Sequence, residues 1–353
     1  MHISASFAAW LSEELKLEFS KGPFLVTGAT GFVGSAVVRK LLSKGAIVRA
    51  LARPGSDRSN LKGLDIDVRD GDLLQPDSLA KAVAGCEGLF HVAADYRLWT
   101  RNPDSMFRAN VDGTRAVLRA ASEAGVKRAV YTSSVAVLGI DPSGNPADED
   151  TQVSYGDMIG IYKQSKYRAE EAAKQEIQET GLDCVIVNPS TPIGPRDIKP
   201  TPTGRLVVEA AAGRMPAYVD TGLNIAHVDD VAEGHLLAFE HGQSGRRYIL
   251  GGDDMSLREI LETVAIAANV KPPSFQIPRT PIYPFAYFAE LWCKMTRSGE
   301  PFATVDGLKM SKKKMYFSSK RAEDELGYQH RPAQEALKDA VKWFSDHDYL
   351  SSS

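Results

Sequence analysis

Short apolar runs alternate with longer stretches whose apolar residues recur every three or four positions, and this alternation repeats through the first half of the chain. Phe24–Val26, Ala46–Ala52, Asp65–Val68, Gly88–Val92, Arg128–Thr132 and Cys184–Val187 read as strands. Ser35–Leu42, Pro76–Val83, Asn110–Ala124 and Ile161–Thr180 read as helices, the last two closed by Gly125 and Gly181. Strands linked through helices pair in parallel, so a parallel sheet with helices on both faces is expected. Past Pro189 the pattern changes, with Pro192, Pro195, Pro200 and Pro202 crowding a loop before a short helix near Gly204. Asn224–Phe239 and Tyr248–Leu250 are expected to return to the sheet, and Met255 onward to supply a smaller lobe. The division predicted is an N-terminal extension over 1–21, an α/β domain over 22–190 with a return segment at 222–252, and a lobe from 191–221 and 253–353.

Composition narrows the class. At 353 residues, with 43% hydrophobic and 25% charged residues, the chain suits one sizeable α/β unit with an appended lobe. A net charge of -3 argues against a nucleic-acid binder and leaves small molecules as the expected partners. Cys86, Cys184 and Cys293 are too scattered for a disulfide framework or a zinc site, which fits a reducing cytoplasm. His227, His235 and His241 recur at near-helical spacing without matching carboxylates and read as structural, so no metal is expected. The first twenty residues mix Glu13, Glu14, Lys16 and Glu18 with Phe7, Trp10 and Leu11, an amphipathic helix pattern rather than a secretory signal.

Two groups of residues carry candidate chemistry. Gly28-Ala29-Thr30-Gly31-Phe32-Val33-Gly34 stands between the first strand and the first helix. There the first glycine permits the turn, the second lets the backbone approach a pyrophosphate, and the third lets helix and strand pack closely. Free N–H groups at the helix start complete an anion site. Tyr162 and Lys166 lie four residues apart near the start of a long helix and so share a face, where an ammonium favours the phenolate and suits the tyrosine to proton transfer. Ser133 and Ser134, just past Tyr131-Thr132 at a strand end, offer a hydroxyl to orient a substrate carbonyl. The second strand ends at Arg53, followed by Arg58, with no acidic residue for a ribose 2′-hydroxyl. This favours NADP, with NAD as the alternative.

From residue 22 to about 345 the chain resembles the extended short-chain dehydrogenase/reductases. The resemblance rests on the spaced glycines, Gly71-Asp72-Leu73, His91-Val92-Ala93-Ala94, Asn110, the serine pair, Tyr162/Lys166 and Asn188-Pro189-Ser190. It implies a Rossmann-type doubly wound parallel sheet with a smaller C-terminal substrate-binding lobe, and pairing as a homodimer through the helices bearing Asn110 and Tyr162. It makes Ser134 the catalytic hydroxyl with Ser133 as fallback, Tyr162 the proton donor or acceptor, and Lys166 the ligand of nicotinamide ribose that depresses the tyrosine pKa. It also assigns cofactor contacts to Gly28, Thr30, Gly31, Phe32, Val33, Gly34, Arg53, Asp72, Leu73, Ala93, Ala94 and Pro189. Asn110 is implied in a water-linked proton path, with a structural cap as its other reading.

Within that superfamily, Val135-Ala136-Val137 after Ser134 lacks the acid a sugar dehydratase needs, and Leu223 stands where epimerases place a pyrophosphate-clamping arginine. Arg196, Arg205 and Arg214 are the candidates to compensate. Ala93–Trp99, Asn188–Arg205 and Gly213–Gly222 are similar to proteins called hopanoid-associated sugar epimerases, with dihydroflavonol-4-reductase-like proteins also near. The reading favoured is a reductase of a ketone on a lipid-like or polycyclic substrate. A hopanoid-linked sugar epimerase and a non-catalytic NADP-binding redox sensor are the alternatives. Asp95, Tyr96, Trp99, Ser134 and Arg196 are the candidate substrate residues. Ile282–Met295, rich in aromatics and followed by Lys309, Lys312, Lys313 and Lys314, reads as a roof over the substrate cleft or as a peripheral contact at the inner membrane.

Overall fold

The computed structural model describes residues 22–296, 301 and 304–351. The amphipathic segment expected within 1–21 lies outside them. Seven parallel strands form the main sheet in the order β10-β6-β5-β4-β1-β2-β3: β1 (Pro23–Thr27), β2 (Ile47–Ala52), β3 (Asp67–Asp70), β4 (Gly88–His91), β5 (Arg128–Thr132), β6 (Cys184–Pro189) and β10 (Arg247–Leu250). The order reverses between β1 and β4, which opens a crevice beyond the strand C-termini there, as in the Rossmann fold.

One face of the sheet is covered by α1 (Phe32–Ser43) and a later helix, α7 (Val228–His241), whose Val37, Leu41, Val231 and Phe239 close over Val26, Phe90, Val130 and Val187. The other face is covered by α2 (Pro76–Val83), α4 (Gly113–Glu123) and α5 (Gly160–Thr180), whose Leu79, Val117, Leu118 and Ala173 pack on Leu25, Leu89, Tyr131 and Ile186. Alternate strand residues supply the two cores, because successive side chains point to opposite faces.

The helix expected over Asn110–Ala124 begins earlier. Asn102 caps α3 (Pro103–Phe107) by accepting the Ser105 N–H at 3.2 Å, and a π-helical turn at Arg108–Asp112 joins it to α4. The third strand lies two residues beyond the expected Asp65–Val68, since edge residues Asp67 and Arg69 are held by ion pairs rather than by apolar burial.

The second correction concerns the return segment. β9 (Gly222–His227) does not rejoin the main sheet; it pairs in parallel with β7 (Thr191–Ile193) and with β13 (Lys314–Met315), and antiparallel with β11 (Asp253–Ser256). Only α7 and β10 return. The lobe core is built by α6 (Pro202–Ala211), α8 (Leu257–Ala268) and a C-terminal helix, α12 (Ala333–Asp346), through Val207, Ile260, Leu261, Leu337 and Phe344. Between them run β8 (Ala217–Tyr218), β12 (Phe275–Gln276), α9 (Tyr283–Thr296), α10 (Val305–Met310) and α11 (Lys320–Leu326).

The two sheets meet where β10 turns into β11. Buried Asn224 on β9 donates to the Gly252 carbonyl at 2.8 Å and the Asp254 carboxylate at 2.7 Å, and its Oδ1 accepts the Gly252 N–H at 2.8 Å. Gly251 is fixed from the other side, donating to Ser319 Oγ at 3.0 Å and accepting from Tyr328 at 2.9 Å.

Candidate active site

The glycine turn owes its shape to backbone crowding. Gly28 has φ +69° and a Cβ there would meet the Ala93 backbone at 2.7 Å; a Cβ on Gly34 would stand 2.1 Å from the Gly28 carbonyl oxygen. A Cβ on Gly31 would meet only that same oxygen, at 3.2 Å, so the space over the middle of the turn is open. No side chain caps the start of α1, which leaves the first-turn N–H groups of Phe32 and Val33 facing the turn. Together these form a cradle for a phosphate at a helix N-terminus. Asn60 holds its edge, donating to the carbonyls of Thr30 at 3.3 Å and Arg196 at 3.2 Å.

Around this cradle the strand ends bring together most of the remaining candidates. Arg53 is exposed just past β2, and Arg58 is paired with Asp70. Asp72 follows β3 and accepts the Leu74 N–H at 2.9 Å, while Leu73 packs against Gly113. Ala93 and Ala94 follow β4, with the Ala93 N–H on Thr27 Oγ1 at 3.3 Å. Pro189 is buried at the end of β6, and beside it the Asn188 Oδ1 and Ser190 Oγ atoms are buried without a hydrogen-bond partner.

Asp95 next begins a loop that Asn110 pins down. The Asn110 amide accepts the Asp95 N–H at 2.7 Å and donates to the Asp95 carbonyl and to Ser165 Oγ, each at 2.9 Å. Three of its four hydrogen-bonding positions are used to join the π-helical turn, the Asp95 loop and α5. Burial raises the Asp95 pKa, yet hydrogen bonds from Arg97 and the charges of Arg97 and Arg53 hold it below the usual value. Tyr96 is 41% exposed, and Trp99 lies under Arg101, whose Nη2 donates to the Cys293 carbonyl of α9 at 3.0 Å. Arg196, with φ +77°, is engaged by Asp229 beside Arg39 and Asn60, which sets it against the flank of the glycine turn. Arg214 is bound by Glu209 through two bonds of 2.8 Å.

At the other end of the crevice, the two serines separate. Ser133 Oγ is buried and donates to Glu170 at 2.6 Å, a carboxylate that also receives Asn188 at 3.1 Å and Lys174 at 3.0 Å. Ser134 Oγ, by contrast, accepts the Ala136 N–H at 3.1 Å within its own turn and lies against the Tyr162 hydroxyl. Burial raises the Tyr162 pKa and the Ser134 hydroxyl opposes that rise. The depression expected from Lys166 is not seen, because the ammonium is drawn elsewhere: Nζ donates to the Thr132 carbonyl at 2.9 Å and to the Tyr131 hydroxyl at 3.3 Å. Burial brings Lys166 down to about 8, with Glu170 opposing.

The sequence did not single out the buried chain behind Lys166. His91 bridges Thr27 Oγ1 at 2.7 Å and Thr114 Oγ1 at 3.0 Å and stacks on Tyr131, to which Thr114 is also bonded. Burial, with Lys166 adding to it, pushes His91 to about 3. On the far side Thr132 Oγ1 meets His235 Nε2 at 2.9 Å. Lys163, next to Tyr162, is a second buried lysine, lowered to about 8 by burial and by Lys313. The signal for His91 and Tyr131 was their register, directly opposite on β4 and β5, which only the folded sheet displays.

A phosphate cradle at the reversal of strand order, with a Ser-Tyr pair and a buried lysine across the crevice, defines an enzyme built to work with a nicotinamide dinucleotide. Residues 24–251 match the family described as the NAD dependent epimerase/dehydratase family, and the chain belongs to it. A Synechocystis protein provisionally named a dihydroflavonol 4-reductase is 47% identical over 93% of this chain and 96% of its own length. Sterol demethylase protein B of Methylococcus capsulatus is 33% identical over 91% and 98%. Among solved structures, that of gox2253 superposes with a TM-score of 0.84 at 53% identity, covering 94% of this chain and all of that one. The open space over Gly31, the uncapped α1 N–H groups and the orphaned Asn188 and Ser190 atoms fit the dinucleotide that the family uses. Among the described residues no cluster of His, Cys, Asp or Glu suits a metal ion, and no helix is long and apolar enough to cross a membrane.

Proposed function

We propose that the protein is an NADP-dependent ketone reductase acting on a lipid-like or polycyclic substrate. The observation that carries this is the Ser134–Tyr162 pairing, with Ser133 withdrawn to Glu170 and Lys166 seated behind. The dinucleotide would be held by the glycine cradle, Asp72, Ala93, Ala94, Pro189 and Lys166, and when bound it supplies the hydride. Tyr162 gives its proton to the carbonyl oxygen while the Ser134 hydroxyl donates a hydrogen bond to the same atom, so the charge developing there is met from two sides. Tyr162 is then reprotonated from water. The phenolate is met first by the Ser134 hydroxyl; Lys166, held on the Thr132 carbonyl and the Tyr131 hydroxyl, is the cation on the same helix face that would turn from them to neutralise it.

Arg53, exposed at the end of β2 where no carboxylate stands, supports NADP over NAD. The names of the Synechocystis and Methylococcus relatives favour a polycyclic substrate over a nucleotide sugar, as does Leu223 on β9 in place of a clamping arginine. The same reading takes the protein as a cytoplasmic homodimer paired through α4 and α5, drawing a hopanoid or sugar-linked lipid from the inner membrane surface.

The test is a thermal-shift titration with NADP⁺, NADPH, NAD⁺ and NADH, followed by stoichiometry of NADPH consumed against a panel of polycyclic ketones. Selective stabilisation by NADP(H), lost in Arg53→Glu, with one NADPH consumed per alcohol and none in Tyr162→Phe, is the expected result. NAD⁺ retained through purification with no net consumption moves the protein to the epimerases, and a Tyr162→Phe variant that keeps its cellular role makes it a sensor.

A further inference from the structure

Helix α9 is packed by one face only. Ala286 and Cys293 are buried on that face, Tyr283 joins the Val305–Leu308 cluster of α10, and Glu290 accepts the Val305 N–H at 2.7 Å. On the opposite side, where a surface helix is normally polar, stand Phe285 (74% exposed), Phe288 (64%), Leu291, Trp292 and Met295 (74%). Their spacing of three and four gathers them into one stripe, and Phe288 and Trp292 stack at 6.1 Å.

Cations flank this stripe. Lys294 is on α9 itself, Lys309 is on α10, Lys312 and Lys313 are exposed in the connection to β13 and Lys314 is exposed at its start, with Lys312 Nζ 5.8 Å from the Tyr283 ring. With Arg279, which is held to Ser311, they make six basic residues against four acidic ones: Glu290, Asp306, which pairs with Lys309 at 3.2 Å, Asp157 near Lys313 and Glu259 near Lys314, in a chain whose net charge is -3.

We propose that α9 and its lysine flank dock the protein on an anionic lipid bilayer. The aromatic stripe enters the headgroup boundary and the lysines stay with the lipid phosphates, the arrangement that holds amphipathic helices on membranes. Charge selects this occupant: a second copy meeting the same face would bring the cations against their own images. The purpose of the contact rests on the lipid-substrate reading, since Arg101 ties α9 to the loop carrying Asp95, Tyr96 and Trp99; the surface itself does not.

Co-sedimentation of the full-length protein with phosphatidylcholine vesicles, with and without phosphatidylglycerol, tests it. Binding should be at least about tenfold stronger to the anionic vesicles and should fall with added salt. It should be lost in Phe288→Ser/Trp292→Ser and in Lys294→Glu/Lys312→Glu, while the melting temperature and the NADPH-induced shift stay at wild-type values. Absence of sedimentation at low salt, or salt-independent binding that the variants retain, overturns the proposal. Variants that alter oligomeric state with no change in vesicle binding would assign the face to a second copy. Variants that raise KM for a water-soluble ketone with vesicle binding intact would assign it to the substrate cleft. Vesicle binding in a protein that reduces no ketone would sink the substrate reading alone.

Discussion

Acidification should destabilise the fold through two histidines that the core keeps neutral. His91 is held at about 3 by burial and then by Lys166, and His235 at about 4 by burial, with the Val231 carbonyl opposing, against an ordinary value of 6.5. Between those values the unfolded chain binds protons that the native chain refuses. The stability from keeping each ring neutral is therefore complete above pH 6.5 and is lost as pH falls toward 4 and 3. From pH 7 to pH 5 each site gives up about 1.9 kcal/mol, or about 3.7 kcal/mol together. Asp197 acts the other way, because burial raises it to about 6 and its protonation on acidification returns about 1.3 kcal/mol. The net loss from these three groups is about 2.4 kcal/mol. Urea unfolding at the two pH values measures it, and His235→Gln isolates one part. A glutamine amide can still meet Thr132 Oγ1 and the Val231 carbonyl but does not titrate, so the variant should lose about 1.8 kcal/mol less than wild type on acidification. Equal stability of wild type at both pH values, or a variant with the full wild-type drop, would refute the reasoning.

Two substitutions probe the site more directly. Gly34→Ala puts a methyl 2.1 Å from the Gly28 carbonyl oxygen, so α1 must shift away from β1; a stability loss of about 1–3 kcal/mol and a collapsed NAD(P)H-induced thermal shift are expected, read by calorimetry with and without cofactor. Tyr131→Phe removes the hydroxyl that Lys166 and Thr114 share, at a cost of about 1–2 kcal/mol in stability; Lys166 keeps the Thr132 carbonyl but loses one of its two acceptors, so the alkaline limb of the kcat pH profile should move while the substrate KM holds, and an unmoved profile would show the hydroxyl to be packing alone.

What could be read from the sequence was what local pattern controls. The strand Arg128–Thr132 and the helix Pro76–Val83 fall where their apolar spacing puts them, and the glycine turn has the crowded backbone its spacing demands. The π-helical turn was hidden because Asn110 leaves the helical pattern to serve the Asp95 loop, although Asn102-Pro103 was a readable helix start. β9 was misplaced because a buried strand of either sheet has the same apolar texture. Strands of two residues such as Ala217–Tyr218 leave no pattern at all. In the site, Tyr162 and Lys166 were visible through helical spacing, whereas the division of labour between Ser133 and Ser134 depends on Glu170, 37 residues away. Tyr131 and His91 meet only through strand register, which no short window contains.

The seam at Asn224, Gly251 and Gly252 has a mechanical consequence. A lobe that swung as a rigid jaw would have to break hydrogen bonds of 2.7–3.0 Å that are buried on both sides of the β10–β11 turn. The stiff part of the molecule therefore includes the floor and back wall of the crevice, and whatever motion admits a substrate is left to the parts outside it: the Asp95–Arg101 loop and α9, joined to each other through Arg101. Substrate entry becomes a local event at the mouth, while the distances between Ser134, Tyr162 and the glycine cradle are fixed in advance.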